Sequence, residues 1–265
     1  MKPIFVDAIG LVSPGLPSWQ EGRKVLQGEA AFIPESLPRY NPLLLPPNER
    51  RRATDLVRLA FQTCEDALNK NEVATNQLAS LFATSAGDYQ IVDQICRALT
   101  SSDRAVSPTQ FHNSVHNSAA GYWSIATSSK APSTSLSCFD FTFSAGLIEA
   151  VTFAIVEERA ILLVVYDARP PSPLLEKRPI AISFGIALLL SPQQTTCSVA
   201  MLSLNLKMGQ YKESLALNGD LEAIRLYNPA ARSIPLLELL ALKKSDMLVL
   251  QTASSQFLTL DVSPC

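Results

Sequence analysis

Apolar positions along this chain fall into two kinds of run, and the two alternate. Residues 4–13 form an extended apolar run closed by Pro14-Gly15, which predicts a strand with a turn at its end. Pro34, Pro38, Pro42, Pro46 and Pro47 then punctuate a segment that reads as an extended surface connection, because proline removes backbone donors and blocks helix. Between about residues 49 and 69, Leu56, Leu59, Ala60, Cys64 and Ala67 recur at spacings of three and four and predict one amphipathic helix. A strand at 80–84, a helix at 89–99, the end of a small-residue helix at 121–128 and a strand at 133–138 follow. Residues 143–156 carry Glu149 as their only charge. A helix hydrophobic on every side belongs between two sheets or between a sheet and a second chain. The run 160–166 is apolar throughout, as in a strand buried on both faces. Residues 180–190 and 197–206 read as a strand pair, with a helix at 229–243 and short strands at 247–251 and 257–262 completing the chain. The alternation predicts a layered α/β fold.

Composition narrows the possible functions. The 265 residues carry 22 Lys+Arg against 24 Asp+Glu, so there is no basic footprint for nucleic acid, and Arg50-Arg51-Arg52 is too short a cluster to supply one. A hydrophobic share of 47% with 17% charged residues excludes a disordered chain and leaves apolar surface to spare for a partner. The longest apolar run, 180–190, is shorter than the ~20 residues a bilayer helix needs, and the opening residues 1–7 break too early for a secretory signal, so no membrane span is expected. Five widely spaced cysteines without a CxxC pair fit a reducing cytoplasm rather than a disulfide framework or zinc ribbon.

Three stretches could carry chemistry. His112 and His116 lie four apart, the spacing of two ligands on one helix face, but no glutamate base stands between them and no third ligand is near in sequence. Hydrogen-bonded structural histidines are the expectation, with no metal and no cofactor. The following Ser118, Ala119, Ala120 and Gly121, backed by Tyr122 and Trp123, form a small-residue face for close helix packing, inside the core or across a subunit interface. Finally, the strand at 133–138 passes through Phe139-Asp140-Phe141-Thr142 into the buried helix. A thiol at such a helix start would be activated by the backbone dipole. The turn offers Asp140 there, expected as a helix N-cap, with Cys138 two residues earlier.

The residues 111–121, 132–137, Ser144-Ala145-Gly146 and 184–190 together resemble the N-terminal half of a β-ketoacyl synthase, a thiolase-like fold. More narrowly, residues 112–121 and Val165-Tyr166-Asp167 are similar to the short chain-length factors beside aryl-polyene-type polyketide synthases, and Arg50–Ala53 resembles the arginine-rich helix start of the synthases. The likeness spans about residues 1–200 as a synthase-like core, with 201–265 as a reduced C-terminal α/β segment of one truncated domain.

The resemblance implies a subunit without chemistry of its own. The synthase nucleophile falls at Asp140, and no histidine follows His116 to serve as the pair that drives decarboxylation. A carboxylate is a poor thioester acceptor beside a thiolate. What remains is a dimer face, which implies a heterodimer with a full-length synthase that receives substrates on acyl carrier protein. In that role the helix after Gly87-Asp88 supplies the residues that end the acyl tunnel, here Tyr89, Ile91, Val92 and Ile95, with Phe111, Phe139 and Phe141 as further candidates. His112, Asn113, His116, Asn117, Ala120, Gly121 and Tyr122 are the interface candidates. An acyl-thioester hydrolase using Asp140 or Cys138, or a homodimeric carrier-protein-binding scaffold, are the alternatives.

Overall fold

The computed structural model describes residues 2–69 and 73–265. The chain opens with strand β1 (Ile4–Val12) and a short helix α1 (Trp19–Leu26), whose Ser18 cap accepts the Glu21 amide at 3.3 Å. Sequence periodicity missed α1, since Trp19, Val25 and Leu26 are too few to establish a repeat. The proline-rich connection is extended as anticipated, until Pro47 begins α2 (Pro47–Arg52). The single helix anticipated over 49–69 is two. Backbone at Ala53 and Thr54 is extended, and the Thr54 hydroxyl accepts the Val57 amide to start α3 (Asp55–Leu68). Buried Arg58 holds the break open, donating to the carbonyls of Ala53, Arg50 and Tyr40.

There follow β2 (Ala79–Ala83), α4 (Tyr89–Thr100), α5 (Pro108–Asn113), α6 (Ser118–Thr127) and β3 (Ser133–Leu136). A 3-10 turn at Phe139–Phe141 leads into α7 (Thr142–Val156), then β4 (Ile161–Asp167), α8 (Leu174–Lys177) and β5 (Phe184–Ser191). The C-terminal part contributes β6 (Ala200–Met208), α9 (Gly219–Tyr227), α10 (Ile234–Leu242), β7 (Asp246–Ala253) and β8 (Gln256–Pro264).

The described strands make one eight-stranded sheet in the order β3-β2-β4-β5-β1-β6-β8-β7. Strands β3, β2 and β4 are parallel, and the remaining neighbours are antiparallel. The strand pair anticipated from 180–190 and 197–206 is corrected here: β1 lies between β5 and β6, with Leu11 opposite Ile186 on one side and Phe5 opposite Met201 on the other. Two apolar strands joined by a short polar turn imitate a hairpin, and only the tertiary structure shows β1 inserted between them.

Helices cover both faces. Ile161, Leu163 and Val165 of β4 join α7 and α10 in one core, while Leu162, Val164 and Tyr166 join α3 and α6 in the other, so β4 is buried on both sides as its apolar run implied. Helix α3 rests directly on bare backbone: a Cβ at Gly10 would stand 2.2 Å from the Thr63 carbonyl oxygen, and one at Gly185 2.3 Å from Thr63 Oγ1. Residues 139–156 are a described stretch long and apolar enough to cross a membrane by length and composition. Phe143, Leu147, Ala150, Val151 and Ala154 are nevertheless sealed against the sheet, which makes α7 the core helix of a layered α/β fold. Leu204, Leu221, Leu237 and Leu260 extend the same core through residues 201–265.

Candidate functional site

In open α/β sheets the ligand crevice lies beyond the carboxyl ends of the parallel strands, and here those are the ends of β2, β3 and β4. Asp167 closes β4 and is wholly buried; its Oδ1 accepts from the Ser85 amide (2.9 Å), the Ser85 hydroxyl (2.7 Å) and the Thr84 hydroxyl (3.1 Å). Burial pushes its carboxyl up to about 6 against the pull of these donors. Ser137, just beyond β3, donates to the Ser85 carbonyl at 2.7 Å, and His116 Nε2 sits 3.2 Å from the Thr84 carbonyl. The three strand ends are thus bolted together. Asp88 caps α4 by accepting the Gln90 and Ile91 amides at 3.0 and 3.2 Å.

The turn from β3 into α7 is as tightly held. Thr142 Oγ1 accepts the Cys138 amide (3.1 Å) and donates to the Phe139 carbonyl (2.7 Å). Phe139 is fixed in left-handed backbone at φ +49°, a strained conformation for an aromatic residue, and is 58% exposed. Asp140 is not the N-cap that was anticipated. The 3-10 turn sets it ahead of α7, whose N-cap is Phe141 with no side-chain bond, and its carboxylate instead meets Arg178 Nη1 at 2.6 Å. The Arg178 guanidinium lies 3.9 Å from the centre of the Phe139 ring and donates from Nε to the Tyr89 hydroxyl at 3.3 Å. Sequence reading overlooked Arg178: it stands in a loop 38 residues after Asp140 with no motif around it. Cys138 is a half-buried free thiol.

The other candidate residues separate by position. Of the described residues in α4, Ile91 alone is buried, so it packs inward. Tyr89 and Ile95 are half-buried, whereas Val92 and Leu99 are 40% and 52% exposed. Val92, Ile95, Cys96 and Leu99 share one helical face, which stays open. Phe111 is 69% exposed and Phe141 half-buried. Among the interface candidates, His112, Asn117 and Gly121 are exposed and His116 is half-buried. Asn113, Ala120 and Tyr122 face the interior instead: the Tyr122 hydroxyl donates to Asn113 Oδ1 at 2.9 Å, and Asn113 Nδ2 donates to the Arg52 carbonyl at 3.0 Å. His112 and His116 share no helix face, because α5 ends with its C-cap at Ser114 and places them in different segments. No group of three or more potential metal ligands occurs among the described residues.

Residues 19–236 match the sequence pattern described as beta-ketoacyl synthase, N-terminal domain. The chain belongs to the β-ketoacyl synthase N-terminal-domain family. A search of curated protein sequences finds no match. Among solved structures, this β-ketoacyl synthase family member is similar to a chain from the ketosynthase ApeO in complex with its chain length factor ApeC from Xenorhabdus doucetiae, at 23% identity and a TM-score of 0.71, covering 97% of this chain and 99% of that one. It is similar to the ishigamide ketosynthase/chain length factor at 13% identity and a TM-score of 0.75, with 100% of this chain and 99% of that one covered. A third likeness, TM-score 0.76 and 11% identity over 100% of this chain and 99% of the other, is to AntDE:AntF, a type II polyketide acyl-carrier protein in complex with its ketosynthase. At these identities the likeness concerns the fold, which is the thiolase-like ketosynthase fold.

Proposed function

We propose that this chain is a non-catalytic chain-length factor, a cytoplasmic subunit that pairs with a full-length β-ketoacyl synthase and closes the acyl tunnel during aryl-polyene-type or related chain elongation. The observation that carries this reading is the Asp140–Arg178 ion pair in the strand-to-helix turn, the position that the resemblance assigns to the family's nucleophile. A carboxylate locked to a guanidinium neither attacks a thioester nor stabilises an enolate. The open apolar face of α4, together with exposed Phe111, Val115 and Phe139, supports a partner surface. Similar structures of ketosynthases with chain length factors, one with a carrier protein, support the class of partner. Carrier protein would reach this chain through the complex.

Of the candidate gates, we favour the two on the open side of α4. Val92 and Ile95 lie on the open face of α4, while Ile91 belongs to the core. A side chain that ends a tunnel rejects a longer acyl chain because overpacking costs about 1–3 kcal/mol. Co-expression with a synthase from the same gene cluster followed by size exclusion should give one heterodimer peak. A chain that elutes alone beside every synthase offered overturns the reading. In the reconstituted complex Val92→Ala and Ile95→Ala should lengthen the products read by mass spectrometry, whereas Ile91→Ala should lower stability instead.

A further inference from the structure

We propose that Arg178 is a positioning residue that fixes the depth of the acyl chamber by latching the start of α4 to the turn before α7; the chamber itself rests on the chain-length-factor reading above. Three contacts converge on one guanidinium. Nη1 binds Asp140 at 2.6 Å, Nε reaches the Tyr89 hydroxyl at 3.3 Å, and the planar face lies 3.9 Å from the Phe139 ring centre. Asp140 and Phe139 belong to the turn, Tyr89 to the first turn of α4, and Arg178 to the loop that follows α8.

The two segments joined in this way carry side chains that would face a substrate, exposed Phe139 on one and exposed Val92 with half-buried Ile95 on the other. Asp88 fixes the backbone of the α4 start and Thr142 that of the turn. Each segment is therefore ordered within itself, the Ser137–Ser85 bond joins their strand ends, and Arg178 adds the side-chain link between the start of α4 and the turn. Its side chain is 14% exposed, enough enclosure to hold one geometry. Arginine is required rather than lysine, because a planar fork can serve a carboxylate, a hydroxyl and a ring face together and a point charge cannot.

Hydrogen exchange on the full chain tests the latch without a partner, through peptides covering residues 89–92 and 139–142. Arg178→Met should raise exchange in both peptides by about tenfold. Tyr89→Phe should raise it at 89–92 alone, and Arg178→Lys should protect 139–142 while leaving 89–92 fast. A rise in only one peptide for Arg178→Met, or in neither, overturns the latch. In the reconstituted complex, Arg178→Met and Tyr89→Phe should both shift products to longer and more widely distributed chains. Unchanged product length in a complex that forms overturns the role in depth. If the wild-type chain pairs with no synthase, the chain-length-factor reading and the depth assignment fall together, while the exchange result still decides the latch.

Discussion

Helices α4 and α7 leave the same end of the sheet, each following a parallel strand, and they meet opposite fates. On α7, Phe143, Leu147, Ala150, Val151 and Ala154 are enclosed between the sheet and the C-terminal elements, and Ser144 donates to the Gln251 carbonyl at 2.7 Å across the layers. Helix α4 carries an apolar face of similar spacing but buries Ile91 alone among its described residues. Helix α7 is apolar nearly all round, whereas α4 sets its apolar edge against Gln90, Asp93, Gln94 and Arg97. The difference is that residues 201–265 supply a cover for α7, through the 3-10 turn at 230–233 and β7, whereas α4 packs beside α5 and leaves Val92 and Leu99 exposed and Ile95 half-buried. Burial of α7 therefore serves folding, and exposure of α4 points to association.

The strongest way to break this contrast is to remove bulk from the covered helix. Leu147→Ala should cost about 2–5 kcal/mol in urea unfolding, the sum of lost transfer energy and a residual cavity. A change below 1 kcal/mol would mean that α7 is less enclosed than its packing indicates.

The cover over α7 contains its own flaw, a carboxylate on the apolar helix α10. Glu238 accepts the Leu217 amide at 2.9 and 3.1 Å, yet burial pushes its carboxyl from 4.5 up to about 7. A folded-state value above the unfolded one means that the native state holds the proton more tightly. This contribution to stability is greatest below pH 4.5, falls as pH rises through 7 and is level beyond it. The loss amounts to about 3 kcal/mol at one pKa unit per 1.36 kcal/mol. Asp167 adds a loss of the same sign between 3.8 and about 6. Unfolding measured from pH 5 to 8 should therefore show a smaller decline for Glu238→Gln than for wild type. Parallel curves would mean that the carboxylate is solvated when folded.

How much of this could be read from the sequence follows the same division. Strand β4 was legible because a strand buried on both faces is apolar throughout, and α7 because its run is apolar at nearly every position. Helices α1, α5 and α9 were not, being eight, six and nine residues long with one thin apolar edge each. The break at Ala53-Thr54 escaped notice because residues 47–52 carry no apolar position against which a change of phase would show, and what enforces it is Arg58, bonded to the carbonyls of Ala53, Arg50 and Tyr40. At the site, the turn at 139–141 was placed by its strand-then-helix context, but the bond made by Asp140 was not. Its partner Arg178 arrives from a loop whose course depends on tertiary packing. Likewise the small-residue run 118–121 was visible, while the inward turn of Asn113 and Tyr122 rests on a mutual hydrogen bond that spacing does not encode.

The smallest effect in the isolated chain is also the one that separates folding from association. Leu99 is 52% exposed near the end of α4, so Leu99→Ser removes little buried area and should move stability by no more than about 0.5 kcal/mol. If α4 faces a partner, the same substitution places a hydroxyl in an apolar contact and removes a side chain whose full burial is worth about 1.5–3 kcal/mol. Affinity for the synthase should then fall by roughly tenfold or more, at 1.4 kcal/mol per decade. Titration calorimetry against a synthase, set beside urea unfolding of the free chain, reads both quantities. A variant weakened in the free chain as much as in the complex would assign Leu99 to the fold and remove α4 from the interface.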